Sequence, residues 1–323
     1  MEFKYTNAII TGGLGLIGSY VCDLLIEHNI DVSVIDNMYR GKIDYLRYPD
    51  KVRIISKDIM DLDNNDIIED CEICFHIASK VLGIGYSAKN HQDMLFYNDK
   101  MTNFFFDYII KFKKLKELVI ISSSCVYDDN LIESLEALGN EGVPEIANLG
   151  YGLAKRFLEQ KSILWAKENN IKLTIIRPFN IYGERYTWAG TFSQGLPSLV
   201  KRVLDKNKIL EIWGTGSQRR NYMHAQDCAR LIIEIAKTNN ISGEIFNLGI
   251  KETISLKELA ETMCHLYKVT PKLSFKIDMP EGRLIKSASE EKLKLLLPNF
   301  KDNLISLEEG LNRMKTWYQN EFK

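Results

Sequence analysis

Tyr151 and Lys155 stand four residues apart in Tyr151-Gly-Leu-Ala-Lys155, within a stretch whose apolar spacing predicts a helix over 150–170. Residues four apart share a helix face, so the phenol and the ammonium point the same way. A nearby cation favours the phenolate, which makes Tyr151 a candidate base for a hydroxyl proton. Upstream, Ser122-Ser-Ser-Cys-Val-Tyr127 closes an apolar run, Lys116 to Ser122, that reads as a strand. A serine at that strand end can hydrogen-bond the same hydroxyl.

The elements that position this pair begin at the N-terminus. Ala8-Ile9-Ile10 reads as a first strand, Thr11-Gly12-Gly13-Leu14-Gly15-Leu16-Ile17-Gly18 as a turn, and Ser19 to His28 as a helix. Strand, glycine turn and helix N-terminus make a dinucleotide site: Gly12 allows the turn, Gly15 admits the pyrophosphate to the backbone, and Gly18 lets helix and strand pack closely. Leu16 and Ile17, between the last two glycines, are further candidates for cofactor contact. A second strand, Asp31-Val-Ser-Val-Ile35, ends at Asp36, whose carboxylate suits the ribose hydroxyls of NAD and repels the extra phosphate of NADP. With NAD bound, Tyr151 would take a hydroxyl proton as hydride leaves, and the positive nicotinamide would favour the phenolate further.

Strand patterns at 52–56, 73–78, 116–122 and 173–177 alternate with helical ones, which predicts an α/β fold with a Rossmann-type doubly wound parallel sheet. The 323 residues exceed one comfortable core. The expected division is an NAD-binding domain over 1–178, with a later crossing near 221–248, and a smaller C-terminal substrate-binding lobe, mainly 179–323. A helix near 195–206, a strand at 245–248 and a final helix near 306–321 belong to this second half. Helical stretches at 91–113 and 150–170 are longer than covering a sheet requires, so they are expected to pair with a second copy as a four-helix bundle in a homodimer. A net charge of -1 gives no reason to expect nucleic acid as partner. No apolar run approaches the ~20 residues of a membrane span and no signal-peptide pattern opens the chain, which points to the cytoplasm. The six scattered cysteines fit reduced thiols. Cys71-Glu-Ile-Cys74 lacks a second pair, and neither His76 nor His224 has metal-ligand spacing; no metal is expected. Richness in Lys, Ile and Asn suits an AT-rich bacterial genome.

These motifs together resemble the extended short-chain dehydrogenases/reductases that modify nucleotide sugars. The likeness runs nearly end to end, through Gly12-Gly13-x-Gly15-x-x-Gly18, Asp36, Asp58-Ile59, Ser122-Ser-Ser, Tyr151-x-x-x-Lys155, Arg177-Pro-Phe-Asn-Ile-Tyr-Gly183, Arg220 to Asp227 and Pro280-Glu-Gly282. The resemblance implies that Asp58 and Ile59 flank adenine and that Ala78 joins the cofactor contacts. It puts Asn98 near the active site, Ser123 in the catalytic hydroxyl position, and Gly83, Asn180 and Arg220 against the nucleotide sugar. Arg283 and Lys286 are candidates for a further phosphate or ribose contact.

Such enzymes begin by taking hydride from C4 of the sugar, giving a 4-keto intermediate. The 4,6-dehydratases carry a Glu where this chain has Cys125. A cysteine there resembles GDP-mannose 3,5-epimerase and GDP-fucose synthase, as do Ala78 to Gly85, Asn90 to Asn98 and Ile181 to Trp188. Those stretches favour a GDP-sugar. The epimerases pair their cysteine with a Lys or His in the substrate loop, whereas Trp188 to Pro197 holds neither, and Gln194 is the nearest match. The resulting expectation is NAD-dependent C4 oxidation of GDP-mannose or GDP-manno-heptose to a 4-keto sugar for a bacterial surface glycan, such as a capsule polysaccharide. A 4-epimerase, a 3,5-epimerase and a non-catalytic NAD sensor or scaffold are the alternatives. Cys125 reads equally well as a small packed residue and as a catalytic one, and Tyr182, Tyr186 and Trp188 as sugar wall or as lobe core.

Overall fold

The computed structural model describes residues 3–186, 188, 195–205, 208–239 and 241–321. Seven strands make the main sheet: β1 Asn7–Thr11, β2 Asp31–Ile35, β3 Val52–Ile55, β4 Ile73–His76, β5 Glu117–Ile121, β6 Lys172–Pro178 and β7 Glu244–Leu248. Their order is β7-β6-β5-β4-β1-β2-β3, with every neighbouring pair parallel. The chain winds outward from β1 in both directions, so the crevice opens where β1 and β4 diverge.

The principal helices are α1 Leu16–Glu27, α2 His91–Ile109, α3 Leu149–Glu168, α4 Gly195–Leu204, α5 Ala225–Lys237, α6 Leu256–Tyr267 and α7 Leu307–Glu321. The sheet is apolar on both faces because helices cover both. Ile10, Phe75 and Val119 pack with Val21 and Leu25 of α1 and Leu231 and Ile232 of α5. Ile9, Cys74, Leu118 and Ile120 pack with Met101 and Phe105 of α2 and Leu158 of α3. Helix α1 starts at Leu16 rather than Ser19, because Gly15 is already its extended N-cap. Helix α2 stops at Ile109, and Phe112 turns back into the core.

A second core joins Leu196 and Val200 of α4, Leu259 and Met263 of α6, and Leu311 and Met314 of α7. Arg219–Arg220 pairs with Ile254–Ser255 and with Ile285–Ala288, and the latter also pairs with Glu133–Ser134. The second half is thus joined to the first by backbone hydrogen bonds, and β7 returns it to the main sheet. Cys71 and Cys74 are both buried and free. Among the described residues no helix is long and apolar enough to cross a membrane, and no His, Cys, Asp and Glu group could hold a metal.

Candidate active site

A cavity of about 1250 Å³ runs from the glycine turn to the second core. That exceeds the several hundred Å³ of an ordinary small-ligand site, so it has room for two nucleotides. Gly12 has φ +72°, and a Cβ there would lie 2.7 Å from the Ala78 amide nitrogen. At Gly18 a Cβ would lie 2.1 Å from the Gly12 carbonyl oxygen. Both glycines are sterically required. The N-cap Gly15 offers no side-chain acceptor to the first turn of α1, and Gly15, Leu16, Ile17 and Gly18 line the cavity. Free first-turn amides and the helix dipole favour a pyrophosphate at this point.

Asp36 follows β2, and its carboxylate accepts from the Leu14 amide at 3.0 Å and the Met38 amide at 2.8 Å. Burial raises its pKa and these two bonds oppose the rise. Asp58 caps a short turn through the Met60 amide at 3.0 Å and accepts from Asn37 Nδ2 at 2.8 Å and the Tyr97 hydroxyl at 3.0 Å. Asp36, Asp58, Ile59 and Ala78 all line this end of the cavity. The glycine turn, the uncapped helix start and an acid set for ribose fit NAD.

Ser123, Cys125, Tyr151 and Lys155 line the middle. Of the three serines, Ser122 gives its hydroxyl to buried Glu159 and Ser124 is buried. Ser123 is the one that interacts with Tyr151. Lys155 lies 5.7 Å from the Tyr151 ring centre and donates to the Ile121 carbonyl at 2.8 Å. Burial brings Lys155 down to about 7, against the pull of Glu159. Burial also raises the Tyr151 phenol, as does Cys125, while Ser79, Arg40 and Ser123 draw it back. Desolvation thus dominates at Tyr151, and at Lys155 it disfavours the charged form.

Behind the serines, Arg177 binds Glu159 through two bonds of 2.8 and 2.7 Å, with both side chains fully buried. Arg177 also donates to the Tyr127 hydroxyl at 3.0 Å, which donates to Asn247 Oδ1 at 2.6 Å. This network ties β5, β6, β7 and α3 into one rigid wall. No motif marks Glu159, although its spacing of eight from Tyr151 and four from Lys155 places it on their face. Asn98 is a positioning residue: its Oδ1 accepts from Ser79 Oγ at 3.0 Å and the Lys80 amide at 2.9 Å.

On the substrate side, Gly83, Asn180, Arg220 and Lys286 line the cavity. Arg220 and Lys286 are register partners across two parallel strands, so the pleat sends both side chains to one side. Arg220 donates to the Arg219 and Glu281 carbonyls, each at 2.8 Å. Arg283 does not line the cavity. It precedes the strand, and its guanidinium is buried against the Leu131 carbonyl and, at 3.0 Å, Ser134 Oγ. Gln194 lies outside the described residues. Glu145, which no spacing marked, sits in the cavity wall with Lys286 Nζ 2.5 Å from its carboxylate.

His76 and His224 make structural contacts. His76 is fully buried, bonds Thr11 Oγ1 at 2.8 Å and stacks on Phe105 at 3.8 Å. His224 caps α5 and bonds Glu184 at 2.8 Å. Tyr182 and Trp188 belong to the second core, while Tyr182 and Tyr186 also border the cavity.

A sheet wound on both sides of a glycine-rich crevice, with a Ser-Tyr-Lys set at its strand ends, defines a nicotinamide-dependent enzyme class. The chain belongs to the NAD dependent epimerase/dehydratase family, whose model matches residues 8–249. It is 26% identical to the UDP-N-acetyl-alpha-D-glucosaminuronate decarboxylase of Bacillus cytotoxicus, over 97% of this chain and 98% of that protein. It is 23% identical to the GDP-mannose 3,5-epimerase of Arabidopsis thaliana, over 97% and 82%. In fold it is similar to the solved UDP-glucuronic acid 4-epimerase of Bacillus cereus, in complex with UDP-glucuronic acid and NAD, with a TM-score of 0.86, 24% identity, and 98% and 100% coverage.

Proposed function

We propose that this NAD-dependent enzyme oxidises C4 of a GDP-linked sugar of manno configuration, GDP-mannose or GDP-manno-heptose, to the 4-keto nucleotide sugar. The observation that carries the reading is the meeting of Ser123, Tyr151 and Lys155 with the glycine turn along one cavity. NAD, when bound, supplies the hydride acceptor and a positive ring. Ser123 orients the C4 hydroxyl, Tyr151 removes its proton, and Lys155 sits beneath the phenol. The role as a step in bacterial surface-glycan assembly in the cytoplasm belongs to this proposal and agrees with six free cysteines.

The relatives include UDP- and GDP-sugar enzymes, so the test compares both bases. Enzyme and NAD are incubated with GDP-mannose, GDP-manno-heptose or UDP-glucuronate, with and without a 2-oxo acid, and products are weighed by mass spectrometry. Loss of two hydrogens from a GDP-sugar is the expected result. Loss of water makes the chain a dehydratase, and unchanged mass with a new chromatographic mobility makes it an epimerase. Tyr151→Phe should lower turnover by roughly 10²–10⁴-fold and leave NAD binding intact. Undiminished biological effect in that variant would identify a sensor or scaffold.

We further propose a homodimer through α2 and α3. Phe96, Phe104, Phe157 and Leu164 stand exposed on this helix pair, and Phe157, Lys161 and Leu164 share one face of α3.

A further inference from the structure

Next to the Ser-Tyr-Lys set lies a second group that the C4 chemistry does not use. Cys125 follows the serines, Glu145 precedes α3, and Lys286 comes from the strand Ile285–Ala288. All three line the cavity. Lys286 Nζ is 2.5 Å from Glu145 Oε2, with the carboxylate side chain 1% exposed. Glu145 is further fixed by its amide on the Cys125 carbonyl at 3.3 Å, and its Oε1 accepts from the Arg283 amide at 3.4 Å. The Cys125 thiol interacts with this same carboxylate.

We propose that Glu145, clamped by Lys286, holds Cys125 as a neutral thiol at the sugar, so that the ketone leaves with the hydrogens on its neighbouring carbons intact. The consequence for the product rests on the C4-oxidation reading above; the effect on the thiol does not. A ketone at C4 acidifies the C3 and C5 hydrogens, and a thiolate beside them would remove one. A carboxylate facing the sulfur opposes that thiolate by like charge.

The surroundings agree with this assignment. Burial pushes the Cys125 thiol up to about 12; Lys286 opposes the rise and Glu145 adds to it. Burial would raise Glu145, but Lys286 and Arg220 hold it at about 2, so it stays charged. The other groups around the sulfur are Ser123 on its own turn and Tyr151 and Lys155 on α3. Asp129 and Arg283 lie beyond Glu145. Lys286 and Lys155 are the cations near the sulfur; burial and the charge of Glu145, which also hydrogen-bonds the thiol, act against them.

The test follows alkylation of Cys125 by iodoacetamide in the full-length protein, with peptide mass mapping to separate it from half-buried Cys264. Glu145→Gln removes the opposing charge and keeps the Lys286 cation, so modification at pH 8 should be at least tenfold faster than in wild type. Lys286→Met keeps the carboxylate and should be no faster than wild type. An unchanged rate in Glu145→Gln, or equal acceleration in both variants from loosened packing, overturns the proposal. In heavy water, wild-type product should carry no deuterium on carbon. Glu145→Gln product should gain it, and the gain should vanish when Cys125→Ser is added. Deuterium already present in the wild-type product also overturns the idea. Absence of any keto product would count against C4 oxidation alone, because alkylation needs no substrate.

Discussion

Lys155 is 3% exposed yet carries an ionisable amine, and its replacement by methionine separates the cost of that burial from its catalytic use. Its fall from 10.5 to about 7 corresponds to about 5 kcal/mol, at roughly 1.4 kcal/mol for each pH unit. The sign follows from proton linkage. Below about pH 7 the amine is protonated in folded and unfolded chains alike, and the folded state bears the whole cost of the buried charge. Between about 7 and 10.5 the unfolded chain binds the extra proton, so this group makes stability rise with pH. Lys155→Met removes that slope. The variant should therefore be more stable than wild type near pH 6.5, and the difference should shrink by roughly 1.4 kcal/mol per unit up to pH 9.5. Urea unfolding of both proteins at a series of pH values measures the difference, in which the titrating groups not coupled to Lys155 cancel. Turnover should be lost at all of them. A difference that does not vary with pH would mean that Lys155 titrates as an ordinary lysine, and the account of the desolvated site would fail.

Glu159→Leu leaves the Arg177 guanidinium buried without its carboxylate, and breaking such a pair costs about 3–5 kcal/mol. A loss below about 1 kcal/mol in urea unfolding would show that the wall behind the serines is not held by this pair. For the dimer, Phe157→Glu combined with Leu164→Glu should convert a sedimenting dimer to monomer without changing the cavity. Wild type that already sediments as a monomer would remove the four-helix bundle from consideration.

Much of the architecture is written locally. Continuous apolar runs such as Leu118 to Ile121 are what a strand buried on both faces requires, Gly18 is required by contacts within its own turn, and Gly12 by its positive φ as well as by the backbone of Ala78. The Tyr151–Lys155 pair is legible because both residues lie on one helix turn. Long-range partners left no such mark. Arg220 and Lys286 share a face only because their short strands happen to pair in register, and Arg283, three residues from Lys286, is turned into the wall by the Leu131 carbonyl.

The sequence by itself determined the doubly wound sheet and the choice of NAD, and it marked the Tyr151–Lys155 pair proposed to take the proton, because each rests on periodicity or spacing within a short stretch of chain. The tertiary structure decided the electrostatics. Residues 188–197 hold no Lys or His to partner Cys125. The fold brings Glu145 and Lys286 to it from separate segments. Burial likewise raises the Tyr151 phenol, since desolvation depends on everything packed around a group, which no local spacing records.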